Sequence, residues 1–278
     1  MENIKVFCAK YGVSPQRQAG QNFLIDKNVL NKIVKMAELK KDDIILEIGA
    51  GFGVLTQELA KRVKKVIAVE LDKRLIEALK EKFEKFKNVE IIHEDILKIQ
   101  FASGRIKLQN KKYKIVANVP YNITSIILRK FLSEEIIKPS EMILLVQKEV
   151  AERIIAKPGQ MSLLSLSAQF YSQPKIISTV SNNSFWPRPK VDSAIIKLSS
   201  IKIGDGILNE KDFFDLCRIG FSSRRKQLKN NLKKIANKID EKKLEEIFQE
   251  LNFDFKIRAQ ELSVQDWIEL YNKIYKRV

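Results

Sequence analysis

From about residue 43 onward, short apolar runs alternate with amphipathic stretches, and this alternation constrains the fold more than any other feature. Five runs have the length and composition of buried strands: 43–48, 66–69, 89–92, 114–117 and 142–147. Between them, apolar residues recur at helical spacing, as at Leu75, Leu79 and Phe83. Strands that alternate with helices predict a parallel sheet covered by helices. Two later runs, 176–180 and 194–198, predict an antiparallel pair that completes the sheet, so the expected fold class is α/β.

The periodicity changes after Ser200. Residues 201–206 hold two of the ten glycines and predict a linker. Beyond the linker, apolar residues recur at helical spacing, as at Phe213, Leu216 and Cys217. We therefore predict two domains: a larger one over residues 1–203, with an extension at its N-terminus, and a small all-helical one over residues 204–278.

The net charge of +17 predicts a polyanionic partner, because lysine and arginine neutralise the phosphates of nucleic acids. Residues 221–234 carry six basic residues and no acidic one. We predict a helix over residues 223–234 that contacts RNA backbone; a solvated helix without a partner is the alternative. The residues expected to bind RNA are Arg224, Arg225, Lys226 and Lys229.

Several functional classes are disfavoured by what the sequence contains. The two cysteines, Cys8 and Cys217, are far apart and have no companion ligands, which argues against a disulfide framework and a metal site. The only histidine, His93, has no evident nucleophile beside it, so we expect it to be a bystander. No apolar run approaches the ~18 residues of a membrane span. We expect a cytoplasmic protein.

A glycine-rich turn follows the first predicted strand. Gly49 and Gly51 let the backbone turn sharply and approach a ligand closely. Glu70 ends the second strand, where it could accept hydrogen bonds from ribose hydroxyls. Asp95 follows the third strand and could bind an adenine amino group; a cap of the following turn is the alternative. These features alone leave both NAD and S-adenosylmethionine open, although the G-x-G-x-G spacing of the turn favours the second.

A second group of residues follows the fourth predicted strand. Asn118 could offer an amide oxygen to an amino group, Pro120 stiffens the turn, and Tyr121 offers a face for stacking. The carboxyl end of a strand in an open α/β sheet is where ligands bind. The three residues therefore predict a site for a flat base that carries an amino group. An ordinary Asn/Pro turn is the alternative.

Six ordered motifs together resemble the bacterial small-subunit (16S) ribosomal RNA adenine N6,N6-dimethyltransferases. They occupy residues 20–24, 47–51, 118–123, 147–150, 185–193 and 221–232. The resemblance implies a Rossmann-like methyltransferase sheet that binds S-adenosyl-L-methionine, followed by a helical RNA-binding domain. It also implies dimethylation at N6 of two adjacent adenosines in the 3′-terminal hairpin loop of the RNA. The implied partner is small-subunit rRNA within an immature 30S-type particle, and we expect the enzyme to be a monomer.

The family's functional residues are carried over by motif. The resemblance implies cofactor contacts for Asn22, Leu24, Gly49, Gly51, Glu70, Asp95 and Asn118. For catalysis, we expect Asn118 and the Pro120 carbonyl to accept the N6 hydrogens, with Tyr121 and Phe185 stacking on the target base. Simple core packing is the alternative for Phe185.

Two positions depart from the family pattern, and two other functions stay open. Ala19 stands where the family usually has phenylalanine, and the segment 157–162 is shorter than usual. A large-subunit adenine methyltransferase that confers antibiotic resistance shares the first three motifs. A ribosome assembly factor that acts mainly by binding is the non-catalytic alternative. An NAD-dependent enzyme ranks last, since it would leave the motif at Asn118 without a purpose.

Overall fold

The computed structural model describes residues 4–16, 20–101, 104, 106–202, 209–233 and 240–275. The helices are α1 (Ile4–Tyr11), α2 (Lys27–Met36), α3 (Val54–Ala60), α4 (Lys73–Phe83), α5 (Thr124–Arg129), α6 (Lys148–Ile154), α7 (Leu163–Tyr171), α8 (Glu210–Gly220), α9 (Leu228–Leu232), α10 (Glu241–Glu250) and α11 (Val264–Tyr275). The strands are β1 (Phe23–Leu24), β2 (Ile44–Ile48), β3 (Lys65–Glu70), β4 (Val89–His93), β5 (Lys114–Asn118), β6 (Glu141–Gln147), β7 (Gln173–Val180), β8 (Phe185–Trp186) and β9 (Ser193–Ser199).

Seven of the strands form one sheet in the order β4-β3-β2-β5-β6-β9-β7. The first five are parallel, and β9 pairs antiparallel with both β6 and β7. This arrangement confirms the predicted α/β class and the antiparallel pair that completes the sheet. The order of the strands places the carboxyl ends of β2, β3 and β5 next to one another.

The central strands are buried because they lie between helices and neighbouring strands. The side chains of Ile45, Leu46 and Val66 are fully buried (0% exposed), which is why these strands are continuous apolar runs rather than alternating ones. Helix α4 contributes Leu75, Leu79 and Phe83 to the core through its apolar stripe. Its first turn is capped by Asp72, whose carboxylate accepts a hydrogen bond from the Arg74 backbone N–H.

The chain divides into two compact units. The first contains the described residues of 1–151 and 172–201, and the second those of 152–171 and 202–278. Helix α7 thus belongs to the second unit, whereas the sequence placed it in the larger domain. Its last two residues carry the reason: Phe170 stacks on Phe213 with 4.9 Å between ring centroids, and Tyr171 on Phe214 with 5.6 Å. The predicted domain boundary between residues 203 and 204 lies outside the described residues and stays a prediction. Ala19 also lies outside them.

The basic segment of the second unit is not the long helix that the sequence predicted. Helix α9 begins only at Leu228, and the residues before it form a turn after α8. Asn231, which is buried, explains the difference, since its side-chain amide donates hydrogen bonds to the carbonyls of Gly220 and Ser223. These bonds fold the segment back on itself and stop a helix from running through it. Lys234 lies outside the described residues.

Candidate active site

A cavity of about 360 Å³ lies at the carboxyl ends of β2, β3 and β5. Its lining includes the glycine turn after β2, the end of β3 and the residues that follow β5. The short segment 20–24 also contributes to the wall. Of the residues predicted from sequence, the cavity is lined by Asn22, Leu24, Gly49, Gly51, Glu70, Asn118, Pro120 and Tyr121. Two separate motifs, one predicted to bind a cofactor and one predicted to bind a base, therefore line the same cavity.

The glycine turn needs its glycines for two reasons. Gly49 and Gly51 have φ angles of 73° and 57°, in the left-handed region that side chains disfavour. A Cβ atom on Gly51 would also lie 3.1 Å from the ring of Phe23, which belongs to the segment 20–24. Glycine thus lets this segment approach the turn and close one side of the cavity.

Glu70 is tied to the backbone around it. Oε2 accepts a hydrogen bond from Gly51 N at 2.8 Å, and Oε1 accepts bonds from Leu71 N and Asp72 N, each at 2.9 Å. Burial raises the pKa of Glu70, while these backbone bonds oppose that rise. Oε1 already accepts two bonds, but Oε2 accepts only one and has a second lone pair, so Glu70 keeps acceptor capacity for a ligand in the cavity. Its role as a ribose acceptor stays a prediction.

Glu47 is a wall residue that the sequence analysis did not assign to the site. It lies on β2, is 1% exposed, and burial raises its pKa to about 8. Its Oε2 has no hydrogen-bonding partner in the part of the chain that the structure describes. Hydrogen bonds from Thr56 oppose the rise in the pKa but leave the carboxyl only partly satisfied. A buried acid that is only partly hydrogen-bonded is costly, which makes a cationic or hydrogen-bonding ligand favourable here. The signal in the sequence was a glutamate within an otherwise apolar five-residue strand.

The segment 20–24 is held over the cavity by several contacts. The Gln21 side chain donates a hydrogen bond to Asp72 Oδ2 at 2.9 Å, and the Phe23 ring lies 4.2 Å from that of Phe52. Strand β1 pairs with β8, so the segment is also anchored through its backbone. Hydrogen bonds from Arg74 and Gln21 hold the pKa of Asp72 down at about 2. The cover over the cavity is thus part of the folded first unit.

Asn118 is oriented by the same segment. Its Nδ2 donates a hydrogen bond to the Asn22 carbonyl at 3.0 Å, which leaves Oδ1 as the acceptor end of the amide. The Pro120 carbonyl accepts a bond from Ile123 N at 3.2 Å and retains its second lone pair. Tyr121 begins a 3₁₀ turn and has its hydroxyl 2.6 Å from Ser193 Oγ. The arrangement offers two oxygen acceptors and an aromatic ring along one wall of the cavity.

Two predicted residues do not line this cavity. Asp95 accepts a hydrogen bond from Leu97 N at 2.9 Å, which is the turn cap that the sequence left as the alternative. Phe185 is 2% exposed and pairs with Leu24 through β8, in the hydrophobic core. Its burial favours core packing over stacking on a base. The predicted contacts of both residues with a ligand stay untested.

The predicted RNA-binding residues lie in the second unit. Arg224, Arg225 and Lys226 are exposed in the turn before α9. Lys229 is partly buried, with its ammonium group 5.4 Å from the ring centroid of Phe255, a cation–π distance. Three neighbouring charges therefore face solvent.

In the described residues, no helix is both long and apolar enough to span a bilayer, and no group of His, Cys, Asp and Glu could hold a metal ion.

Two similar proteins are named for ribosomal RNA methylation. The ribosomal RNA small subunit methyltransferase A of Dehalococcoides mccartyi is 45% identical over 272 residues, which cover 97% of this chain and 92% of that protein. The protein of the same name from Clostridium botulinum is 41% identical over 276 residues and 98% of each chain.

Two solved structures share the fold across most of the chain. A dimethyladenosine transferase from Plasmodium falciparum has a TM-score of 0.79 and 28% identity, covering 92% of this chain and 98% of that one. The 23S rRNA methyltransferase ErmE has a TM-score of 0.73 and 25% identity, covering 91% and 99%. The family described as ribosomal RNA adenine dimethylase matches residues 13–276. This chain is therefore a member of the ribosomal RNA adenine dimethylase family.

Proposed function

We propose that this protein transfers methyl groups from S-adenosyl-L-methionine to N6 of adenosines in small-subunit rRNA and dimethylates each. The observation that carries the proposal is the Asn118 amide, fixed by the Asn22 carbonyl so that Oδ1 is its acceptor end, in one cavity with the glycine turn. The relatives that are 40–45% identical are named for the small subunit. We further propose that the target is two adjacent adenosines in the 3′-terminal hairpin loop of an immature 30S-type particle, and that the enzyme acts as a cytoplasmic monomer.

The cavity fits the cofactor in charge and shape. Glu47 supplies a buried carboxyl oxygen, Oε2, which has no hydrogen-bonding partner among the described residues and is suited to a cationic group. Glu70 supplies a second acidic group, suited to ribose hydroxyls, and the exposed Leu71 offers apolar surface for a base. Gly51, which has no Cβ atom, lets the Phe23 ring close the side of the cavity beside the turn. When bound, the cofactor supplies a methyl group already activated by its sulfonium.

In the proposed mechanism, the protein positions the amino group of adenine rather than activating it by proton removal. Asn118 Oδ1 and the Pro120 carbonyl accept the two N6 hydrogens, which turns the nitrogen lone pair out of the ring plane. These acceptors also meet the positive charge that develops on N6, an effect of ~3 kcal/mol per group in comparable sites. Transfer would break the bond between the methyl group and sulfur, leaving a neutral thioether. No general base is needed, because the N6 cation that forms is strongly acidic and loses its proton to water. The Tyr121 ring stacks on the flipped base.

The basic turn of the second unit would supply affinity that does not depend on sequence. Arg224, Arg225 and Lys226 are exposed side by side, in a chain whose net charge is +17. Such charges bind phosphates by displacing counterions. The target base is then selected in the cavity, whereas the turn holds the RNA.

The test is methyl transfer from labelled S-adenosyl-L-methionine to undermethylated small and large ribosomal subunits, assayed in parallel, with the modified nucleoside identified. Dimethyladenosine in the small subunit alone is the expected result. Label in the large-subunit RNA would instead indicate the activity for which ErmE is named, 23S rRNA methylation; this chain shares the ErmE fold. Transfer to neither subunit, with cofactor bound, would refute catalysis and favour an assembly factor. The Asn118→Ala variant is the matched inactive control.

A further inference from the structure

The hydroxyl groups of Tyr121 and Ser193 form a contact that the proposed mechanism does not use. Their oxygen atoms are 2.6 Å apart, a short hydrogen-bonding distance between two uncharged groups. Tyr121 lines the cavity, whereas Ser193 is 0% exposed and lies behind it. The contact joins residues 72 positions apart in the sequence. It therefore connects the wall of the cavity to a separate part of the fold.

Ser193 stands on a rigid support. It begins β9, which pairs on one side with β6, at Gln147, and on the other with β7, at Val180. The preceding residue, Asp192, adds two bonds: its carbonyl accepts from Lys148 N, and its carboxylate accepts from Asn182 N, both at 3.0 Å. The position of the Ser193 hydroxyl is thus fixed by strands on both sides and by two neighbouring loops.

Tyr121 stands on a short segment. It begins a 3₁₀ turn of three residues, Tyr121–Ile123, which leads into α5 at Thr124. The hydroxyl of Thr124 contacts the Tyr121 carbonyl at 3.4 Å, which holds the backbone and not the ring. A tyrosine ring on a short turn can change rotamer unless its far end is held. Ser193 holds that end.

We propose that Ser193 is a positioning residue that fixes the plane of the Tyr121 ring against the target base. The proposal rests on the proposed function, in which Tyr121 stacks on the flipped adenine beside Asn118. A ring of fixed orientation keeps the base in register with the Asn118 acceptor, and small displacements of reacting groups are costly. The second methylation demands more, because N6 then carries a methyl group and only one hydrogen.

The experiment compares Ser193→Ala, Tyr121→Phe and the double variant in single-turnover methylation of undermethylated small subunits. Each single variant should lower the rate about tenfold, the effect of one ordinary hydrogen bond that is needed in the transition state. Because both changes remove the same bond, the double variant should be within about twofold of the slower single one. Cofactor affinity should change less than about twofold, and the share of monomethylated product should rise.

Tyr113→Phe is the matched control. Tyr113 lies at the opposite end of β5 from Tyr121, is 1% exposed, and donates its hydroxyl to the Ile137 carbonyl at 2.8 Å. The Tyr113→Phe variant loses a similar hydrogen bond. It should therefore lower thermal stability without changing the methylation rate or the ratio of monomethylated to dimethylated product. If Ser193→Ala does not fold, Tyr121→Phe still tests the bond, since it removes only a hydroxyl from a half-buried ring.

The proposal is wrong if Ser193→Ala or Tyr121→Phe methylates at the wild-type rate, or if their losses multiply to about a hundredfold in the double variant. It is also wrong if Tyr113→Phe slows the reaction equally, because the effect would then reflect general destabilisation. The wild-type protein is assayed first. Absence of transfer by the wild type would overturn the proposed function, and this proposal with it.

Discussion

Replacing Glu47 with glutamine should remove a pH dependence of stability that originates inside the cavity wall. Burial raises the pKa of Glu47 from 4.5 to about 8 in the folded protein. An acid with a raised pKa keeps its proton when folded and loses it when unfolded, so stability is highest at low pH and falls as pH rises. Between the two pKa values the slope is about 1.4 kcal/mol per pH unit, or about 5 kcal/mol in all. That total is an upper bound, because the folded protein relaxes around the charge.

The assay is urea unfolding at pH 6 and pH 8, followed by tryptophan fluorescence. Trp186 lies in the first unit, with Glu47, whereas Trp267 lies in the second. A Trp267→Phe background therefore assigns the signal to the unit that holds Glu47. The parent protein should lose about 2 kcal/mol of unfolding free energy between pH 6 and pH 8 through Glu47, and the Glu47→Gln variant should not show this loss. Glutamine keeps the shape of the side chain and has no proton to lose.

The control is Glu84→Gln, which removes an exposed carboxyl group from the same unit. This variant should show the same difference in unfolding free energy between pH 6 and pH 8 as the parent protein. Equal pH dependence in the parent protein and in Glu47→Gln would refute the reasoning. It would mean that the folded protein already accommodates the Glu47 charge, through water or through movement of the wall.

Three further predictions concern the ligands. Binding of S-adenosyl-L-methionine at pH 7 should release nearly one proton, because a cationic group beside Glu47 lowers its pKa; calorimetry in buffers of different ionisation enthalpy measures this, and no dependence on buffer would contradict it. Asn118→Ala should lower single-turnover methylation by more than about a hundredfold and leave cofactor affinity within about threefold; near-normal turnover would refute the role of Oδ1. Replacing Arg224, Arg225 and Lys226 with alanine should reduce the slope of log affinity for rRNA against log salt by about 2–3, measured by filter binding; an unchanged slope would indicate a solvated turn.

The sequence predicts the sheet well because burial on both faces produces a simple pattern. The runs at β2, β3, β5 and β6 are continuous apolar stretches, and the helices between them carry one apolar stripe each. The cavity follows from the same pattern, since the glycine turn and Asn118 both come at strand ends. Local sequence is sufficient there because the strands and helices are regular.

The features that the sequence misplaced or missed depend on contacts that the local apolar periodicity does not show. The turn before α9 forms because Asn231 binds the carbonyls of Gly220 and Ser223, and no local periodicity shows this. Helix α7 joins the second unit through rings of α8 that come about 40 residues later. Glu47 was visible as an acid within an apolar strand, but only the fold shows that its Oε2 has no partner among the described residues. Pattern alone cannot supply such information.

The segment 20–24 fixes the orientation of the Asn118 amide, to which we assign the catalytic role. Its Asn22 carbonyl accepts a bond from Asn118 Nδ2, and its Phe23 ring lies against the glycine turn. A carboxylate at position 118 would place a negative oxygen against the Asn22 carbonyl, with no hydrogen to share. In the proposed mechanism an amide satisfies both demands at once, since one end donates to the cover and the other accepts from adenine. On this proposal the same bond explains why the cavity uses asparagine, and it predicts that the cover must be in place before the base is held.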